Sequence, residues 1–276
     1  MNDLTQKAGE SLLQHGKSNN RVYLMKLSRA DFPKIINQIY ELANKNEYTK
    51  IFAKVPEWAK DGFEKECYKQ EAYIPGFYNG KSGTCFMARY LDKARSESIN
   101  KEKIDSIIEF AIRKTLVSTP RLQGCYSFSV LSHEHASEMA NVYKKVFETY
   151  PFPIHEQQYI KKTMDKNLVY FGIRKNDKLI AVSSCDMDIE SLNVEMTDFA
   201  TLPEHCSKGL ASYLLYEMEA EMKKRGIKTS YSIARAVSYG MNITFAKHGY
   251  IYSGTLVNNT NIAGSIESMN VWHKIL

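Results

Sequence analysis

In two long parts of the chain, apolar and polar residues alternate over short runs. In each part, apolar residues at helical spacing follow these runs. In residues 21–92 the alternating runs predict four strands, at residues 22–27, 49–55, 68–74 and 84–90. After the first run, Ile35, Ile36 and Ile39 recur on one helix face, which predicts a helix over residues 30–45. Pro56 opens a second helix, since proline in a first turn removes no helical hydrogen bond. This part predicts a small α/β unit.

The second part contains a strand, a loop, a helix, a strand and a helix in direct succession. Residues 193–202 alternate and then become nearly uncharged, as a half-buried strand entering a core does, and Pro203 ends the run. A helix follows, with its apolar residues at helical spacing: Leu210, Leu214, Leu215, Met218 and Met222. Gly226 is placed to end that helix, because glycine accepts positive φ. Residues 229–235 and 238–248 continue the pattern as a strand and a helix.

The remaining segments predict connections and outer strands. A strand over residues 126–131 leads to Ser132, a residue type that caps helices, and the turn N-D-K predicts a hairpin between residues 168–174 and 178–187. A turn at residues 257–260 leads into a last strand. We therefore predict a flexible leader, a small α/β domain, a charged connecting helix and a second domain, at residues 1–20, 21–92, 93–123 and 124–276.

Composition restricts the possible functions. The chain has 276 residues, 43% of them hydrophobic and 25% charged, with a net charge of +6, which is typical of an ordinary globular protein. The charge suits a polyanionic ligand, but no uninterrupted Lys/Arg block predicts nucleic-acid binding. Five cysteines without C-x-x-C spacing favour a reducing, cytoplasmic setting. We expect no signal peptide and no membrane span. The number of subunits is not predicted.

A small-residue loop at the start of the 210–222 helix is a candidate anion site. Lys208, Gly209, Leu210 and Ala211 stand where a strand delivers its carboxyl end to a helix, so free N–H groups and the helix dipole point to one place. An ordinary strand-to-helix turn is the alternative. Elsewhere, His133 and His135 lie two residues apart at a helix start and face different directions, so we expect no metal site.

The order of these elements resembles the acetyl-CoA-binding half of the GNAT N-acetyltransferases. The loop Cys206-Ser207-Lys208-Gly209-Leu210-Ala211 keeps the family's glycine and its small last residue, while Cys206 replaces the usual Gln or Arg. The resemblance implies that acetyl-CoA binds along the preceding strand, at this loop and at the following helix. The implied residues are Ala200, Thr201, Leu202, Ser207, Lys208, Gly209, Leu210, Ala211, Ser238 and Phe245.

Chemistry on an amine requires a base, because a lysine-type amine has a pKa of about 10.4. Glu195 corresponds to the glutamate that histone-type family members use as general base, and Asp198 is the second candidate. We expect them on opposite faces of the strand, and a merely solvent-facing Glu195 is the alternative. The family's tyrosine that protonates the leaving thiolate is replaced by Phe245, which leaves Tyr239 and Tyr252 as weak substitutes.

Longer stretches resemble one branch of that family, the β-lysine N6-acetyltransferases that work beside lysine 2,3-aminomutase. They include T-K-I-F-A-K-V-P, I-P-G-F-Y-N-G and A-R-A-V-S-Y-G-M-N-I-T-F-A-K-H-G-Y. This resemblance implies acetylation of β-lysine at N6, giving a neutral solute. Arg235, Tyr78 and Phe152 are candidates to contact that substrate. A transferase for another amine or a protein lysine, or a non-catalytic acyl-CoA sensor, stays open as an alternative.

The first part also looks like a degenerate copy of the second. Ile51-Phe52-Ala53-Lys54, then Phe63 and Tyr68, parallels Ser232-Ile233-Ala234-Arg235, then Phe245 and Tyr250. Chance similarity between strand–helix–strand units is the alternative, and different strand orders would exclude a duplication. We therefore predict a mixed-sheet α/β fold, with a GNAT domain in the C-terminal half and a smaller GNAT-like domain before it.

Overall fold

The computed structural model describes residues 3–116 and 119–276, and these residues form one thirteen-stranded mixed sheet. The N-terminal unit contains β1 (Leu4–Ala8), β2 (Ser11–Gly16), β3 (Arg21–Lys26), α1 (Lys34–Lys45), β4 (Lys50–Pro56), α2 (Lys60–Lys65), β5 (Lys69–Tyr78) and β6 (Ser82–Tyr90). After α3 (Lys101–Ile112), the C-terminal unit contains β7 (Tyr126–Leu131), α4 (Ala136–Val146), α5 (Gln157–Met164), β8 (Leu168–Lys175), β9 (Lys178–Asp188), β10 (Asn193–Thr201), α6 (Leu210–Lys224), β11 (Thr229–Arg235), α7 (Tyr239–Lys247), β12 (Ile251–Ile262) and β13 (Ser265–Ile275). The mixed sheet confirms the predicted fold class.

The predicted flexible leader, residues 1–20, is wrong for most of its length. Strands β1 and β2 form an antiparallel hairpin, and β2 pairs with β3. The side chain of Leu13 is buried, and the Asp3 carboxylate accepts hydrogen bonds from the Asn19 amide groups. Edge strands expose one face, so their polar sequence resembles a disordered tail. The first two residues of the predicted leader lie outside the described residues.

Two connecting segments also differ from prediction. The connecting helix, predicted within residues 93–123, spans only Lys101–Ile112, and residues 117–118 of that segment lie outside the described residues. The expected turn at residues 257–260 is instead an irregular stretch inside β12, and the chain reverses at Ala263 and Gly264. Within residues 3–116 and 119–276, no helix combines the length and apolar character needed to cross a bilayer.

Strand order is the same in the two units. It runs β1-β2-β3-β4-β6-β5 in the N-terminal unit and β8-β9-β10-β11-β13-β12 in the C-terminal unit, which adds β7 outside β8. In each unit one pair is parallel, β3 with β4 and β10 with β11, and a helix connects its two strands. The orders agree, as the duplication hypothesis requires, although the domain boundaries themselves stay predictions.

The two units meet edge to edge where β5 pairs with β12. Gly254 of β12 faces Ala72 of β5, and a Cβ on Gly254 would lie 2.0 Å from the Glu71 carbonyl oxygen. Only glycine permits that approach. Phe52 and Phe86 from one unit share a buried cluster with Val271 and other apolar residues of the second unit. The units therefore pack as one body around a common core.

Local irregularities in β10 shape the region between the units. Parallel pairing of β10 with β11 covers only Asn193–Glu195, and beyond Glu195 the two strands no longer pair. The pairing of β10 with β9 shifts register between Thr197 and Ala200, where Asp198 has a φ of +55°. An extra residue in one strand redirects its side chains. The divergence and the bulge leave space at the centre of the sheet.

Candidate active site

A cavity of about 1010 Å³ lies in this central space. Strands β10 and β11, the first turn of α6 and the start of α7 form its walls on one side. Strands β3 and β4 of the N-terminal unit also line the cavity, through Arg21, Tyr23 and Lys54. The cavity is therefore built by both units, and it joins the predicted anion loop to the predicted base.

One end of the cavity is the N-terminus of α6. Gly209 caps this helix with a φ of +75°, and nothing lies within 4 Å of the position that its Cβ would take. The first N–H groups of a helix have no intrahelical acceptor, and Leu210, Ala211 and Ser212 line the cavity here. Ser207 also lines it, whereas the Lys208 ammonium donates to the Glu204 carbonyl at 2.8 Å. Free amides beside open space can hold the diphosphate of coenzyme A.

Glu195 lies on the cavity wall, at the last paired position of β10. The cavity walls keep its carboxyl from bulk water, and this desolvation, together with the negative charge of Asp186, raises its pKa to about 7. The Lys54 ammonium acts in the opposite direction. A carboxyl with this pKa is partly ionised at neutral pH, so it can accept a proton there.

Asp198 lies on the same cavity, not on the opposite face from Glu195 as we expected, because the bulge interrupts the alternation of β10. Its carboxylate accepts hydrogen bonds from the Tyr150 and Ser184 hydroxyls, each at 2.5 Å. Burial raises the pKa of Asp198, and these hydrogen bonds oppose that rise. Both oxygens are therefore occupied, which favours Glu195 over Asp198 as the base.

Several other predicted residues also line the cavity. Phe152 and Ser238 do so, as do Thr201 and the ring of Phe245, which meets Phe199 edge to face with centroids 5.8 Å apart. Arg235 reaches the cavity as well, but its guanidinium is already paired with Glu267, with an Nε to carboxylate distance of 2.8 Å. Arg235 is thus a neutralised cation and a weak anchor for a substrate carboxylate.

The remaining predicted residues lie outside the cavity lining. Tyr239 is half exposed, and its ring lies 5.0 Å from the ring of Phe110 on α3. Tyr78 packs edge to face on Phe77. Ala200 is buried in the sheet, and the Leu202 N–H donates to the Ile180 carbonyl at 2.9 Å. Tyr239 and Tyr78 therefore do not line the cavity, and the Leu202 amide is not free to bind an oxyanion.

The sequence analysis did not select several other residues that line the cavity, among them Arg21, Tyr23, Lys54, Asp186 and Tyr231. Partial enclosure by the cavity walls raises the pKa of Asp186 to about 6. The Lys54 ammonium lies 5.4 Å from the centroid of the Phe77 ring, with no carboxylate of the described residues within 4 Å. The sequence did contain a signal for Lys54, because the internal repeat aligns Lys54 with Arg235, which was predicted to contact the substrate.

Metal ligands are not clustered at this site. Among residues 3–116 and 119–276, no group of three or more His, Cys, Asp or Glu side chains is arranged to hold a metal ion. His135 instead caps its helix, with its Nδ1 atom accepting from the Ser132 N–H at 3.0 Å. The cap at Ser132 was predicted and is confirmed.

Comparison with known proteins agrees with the geometry. Residues 133–250 match the model of the acetyltransferase (GNAT) family. A β-lysine N(6)-acetyltransferase of Methanococcus maripaludis is 41% identical over 268 residues, which cover 96% of each chain. The N-acetyltransferase YodP of Bacillus subtilis is 34% identical, with 96% of each chain covered. A β-lysine N(6)-acetyltransferase of Methanosarcina mazei is 32% identical, covering 89% of this chain and 98% of the relative.

Proposed function

Since this chain belongs to the acetyltransferase (GNAT) family and is an acetyl-CoA-dependent N-acetyltransferase, we propose that it acetylates the N6 amine of β-lysine. The observation that carries the proposal is the position of Glu195, a carboxyl with a pKa of about 7 that shares one cavity with the free amides of α6. Relatives with this activity in their names match nearly the whole chain, including the N-terminal unit.

The proposed reaction begins with removal of a proton from the substrate ammonium by Glu195, directly or through one water. The neutral nitrogen then attacks the thioester carbonyl, and the negative charge of the tetrahedral intermediate falls near the unpaired end of β10. Collapse of the intermediate breaks the C–S bond and releases the coenzyme A thiolate, and the second proton on the attacking nitrogen passes to solvent, which leaves the neutral amide. The proton taken by Glu195 returns to solvent, which restores the base.

Departure of the thiolate does not require the family's tyrosine. Phe245 occupies that position and has no proton to donate, while Tyr239 faces α3 and Tyr252 donates to or accepts from Thr255 at 2.6 Å. A thiol has a pKa of about 8.5, so its conjugate base is a competent leaving group near neutral pH. We propose that solvent protonates the thiolate after it has left.

A diamino acid fits the charges that surround the cavity. Asp186, Glu195 and Asp198 supply negative charge, and Arg21 and Lys54 supply positive charge from the other unit. β-Lysine carries two ammonium groups and one carboxylate, so it has a partner for both signs of charge in the cavity. Walls from two units also suit a small molecule better than a lysine held in a protein chain.

We further propose that the enzyme follows a lysine 2,3-aminomutase, which supplies β-lysine, and that it works in the cytoplasm. Acetylation removes one positive charge and leaves a neutral zwitterion, the type of solute that accumulates under salt stress. The five cysteines are free thiols in the structure, as a reducing compartment favours.

Thiol release measured over a panel of amines tests the substrate. The panel contains β-lysine, α-lysine, a polyamine and a lysine peptide, and we expect the kcat/KM for β-lysine to exceed each of the others at least about tenfold. Mass spectrometry and NMR locate the acetyl group. Preference for the peptide would support a protein-lysine transferase instead. Tight acetyl-CoA binding with no turnover of any amine would support an acyl-CoA sensor.

A further inference from the structure

Arg21 on β3 is a buried cation that faces the cavity with part of its guanidinium unused. Its residue surface is only 4% exposed. The Nη1 group donates to the Asn259 carbonyl and to the Thr260 hydroxyl, the latter at 3.1 Å. The Nε–H has no hydrogen-bond partner among the described residues, and Nη2 makes no hydrogen bond to them either. The Nε–Nη2 edge is the edge that grips a carboxylate with two parallel hydrogen bonds.

Three other buried or half-buried cations among the described residues have partners within the fold. Lys50 pairs with Glu71 at 2.9 Å, and Lys274 pairs with Glu219 at 2.6 Å. Arg95 has no carboxylate within 4 Å among the described residues, but its Nε, Nη1 and Nη2 each donate to an oxygen. Arg21 therefore differs from all three, because it combines burial, a free guanidinium edge and an opening onto the cavity.

Nearby carboxylates are already engaged and do not neutralise Arg21. Asp3 and Glu71 act on it only from beyond 4 Å. Asp3 accepts from the Asn19 side chain at 2.6 Å, and Glu71 pairs with Lys50. A desolvated cation without a counter-ion is costly to maintain, and an anionic group of a ligand removes that cost.

Tyr23 lines the same cavity as Arg21 and the proposed base. The Arg21 guanidinium carbon is 5.2 Å from the centroid of the Tyr23 ring, on the same face of β3. Desolvation raises the pKa of Tyr23, and the negative charge of Glu195 raises it further, so Glu195 lies within electrostatic range of the ring. The unused guanidinium edge and the carboxyl that accepts the proton therefore face one cavity, and the charges of both act on Tyr23.

We infer that Arg21 binds the carboxylate of an amino-acid substrate, so that the amine at the far end of the substrate reaches Glu195. The inference rests on the proposed function, which it deepens by naming the carboxylate site. In β-lysine the carboxylate carbon and N6 are six bonds apart, about 7–8 Å when extended. A cavity of about 1010 Å³ has room for a molecule of that length. The N-terminal unit then selects substrates by the distance between their carboxylate and their reacting amine, and the C-terminal unit supplies the base that reacts with that amine.

Two substrates that differ only in the carboxylate test the inference. β-Lysine and 1,4-diaminopentane, its decarboxylated counterpart, are compared in wild type, Arg21→Gln and the control Lys26→Gln. Lys26 also lies on β3, but its side chain is 60% exposed and pairs with Glu190. We expect Arg21→Gln to lower kcat/KM for β-lysine at least about 100-fold, mainly through KM, and to lower the ratio of β-lysine to diamine by a similar factor. Lys26→Gln keeps the wild-type ratio, and Arg21→Lys recovers part of it.

Calorimetry with acetyl-CoA and thermal unfolding complete the test. An equal loss for both substrates would mean that Arg21 serves only the fold, and a comparable weakening of acetyl-CoA binding would place a coenzyme phosphate at Arg21; either result overturns the inference. If wild type does not turn over β-lysine, the proposed function fails, and α-lysine with cadaverine replaces the first pair. No wild-type preference for the carboxylate-bearing member of either pair would then overturn the Arg21 site separately.

Discussion

The N-terminal and C-terminal units share one strand order but differ where a strand enters its helix. In the C-terminal unit, Gly209 adopts positive φ, and the first amides of α6 face open space. In the N-terminal unit, Pro33 occupies the equivalent cap of α1 and has no N–H to offer. The Asp31 carboxylate lies just before it and accepts from the Ser11 amide at 2.7 Å. One helix start can hold an anion, whereas the other has no N–H at its cap and has a carboxylate just before it.

This difference shows that sheet topology and ligand binding are separable properties of the fold. The strand order is stabilised by apolar packing, and each unit has its own buried apolar cluster. The anion site depends on a few backbone positions, which only the C-terminal unit keeps. The N-terminal unit instead places Arg21 and Lys54 on the cavity. We interpret it as a substrate wall that has no coenzyme site of its own.

Removal of the base from the C-terminal unit is the strongest test of the different roles that we assign to the two units. Glu195→Gln is expected to lower kcat by about 10²–10⁴-fold, since a general base contributes that much and the amide cannot accept the proton. Binding of acetyl-CoA should be unchanged, because the helix amides are untouched. Stopped-flow rates and calorimetry measure the two quantities. Glu190→Gln is the control, as its carboxylate is exposed and pairs only with Lys26.

Stability measurements separate this loss from unfolding. The pKa of Glu195 in the fold, about 7, lies above its ordinary value of 4.5, so the fold favours the protonated form. Wild type therefore loses stability as pH rises from about 4.5 to about 7, and the whole loss is present above pH 7. Glu195→Gln has no such dependence and should unfold at pH 8 at no lower temperature than wild type. A wild-type rate in Glu195→Gln would exclude Glu195 as the base.

Two glycines at opposite ends of α6 test the anion site. Gly209 and Gly226 both have a φ of +75°, and neither has an atom within 4 Å of the position of a Cβ. Alanine at either position costs about 1 kcal/mol through the left-handed backbone. Gly209→Ala should also raise the Kd for acetyl-CoA about tenfold, because the new methyl group enters the space before the amides. Gly226→Ala should leave that Kd unchanged.

Equal stability losses with unequal binding would confirm that the anion site is local to the helix start. If both variants bound acetyl-CoA as wild type does, the diphosphate would have to lie elsewhere in the cavity. The N-terminal unit could then also hold the coenzyme, and the difference between the two helix starts would not explain where the coenzyme binds.

Local rules predicted much of this fold. Helical spacing located α6, the N-D-K turn located the hairpin of β8 and β9, and Ser132 was correctly expected to cap its helix. The same rules placed the candidate anion loop at Gly209. Each of these features is decided by residues within a few positions of one another.

Features that depend on distant partners were missed. The β1 and β2 hairpin is stabilised by pairing with β3, so its own polar sequence did not identify it. The bulge at Asp198 depends on the register of β9, and without it simple alternation put Asp198 on the wrong face. Arg21 and Lys54 reach the cavity only because β5 and β12 join the two units. No pattern of residue spacing predicts that contact between the two units.

The smallest effect concerns the charges that the two units place around Glu195. Asp186 from the C-terminal unit raises the pKa of Glu195, and Lys54 from the N-terminal unit lowers it. The base works when ionised, so the rate should rise with pH through about 7. Asp186→Asn should move this limb of the kcat/KM profile to lower pH, and Lys54→Met should move it to higher pH, each by up to about one unit. The paired variants are matched, because each removes one charge and leaves the base in place. Profiles that move in the same direction would show that the substitutions act through packing. An unchanged profile in Lys54→Met would show that the charge of the N-terminal unit does not affect the pKa of the base.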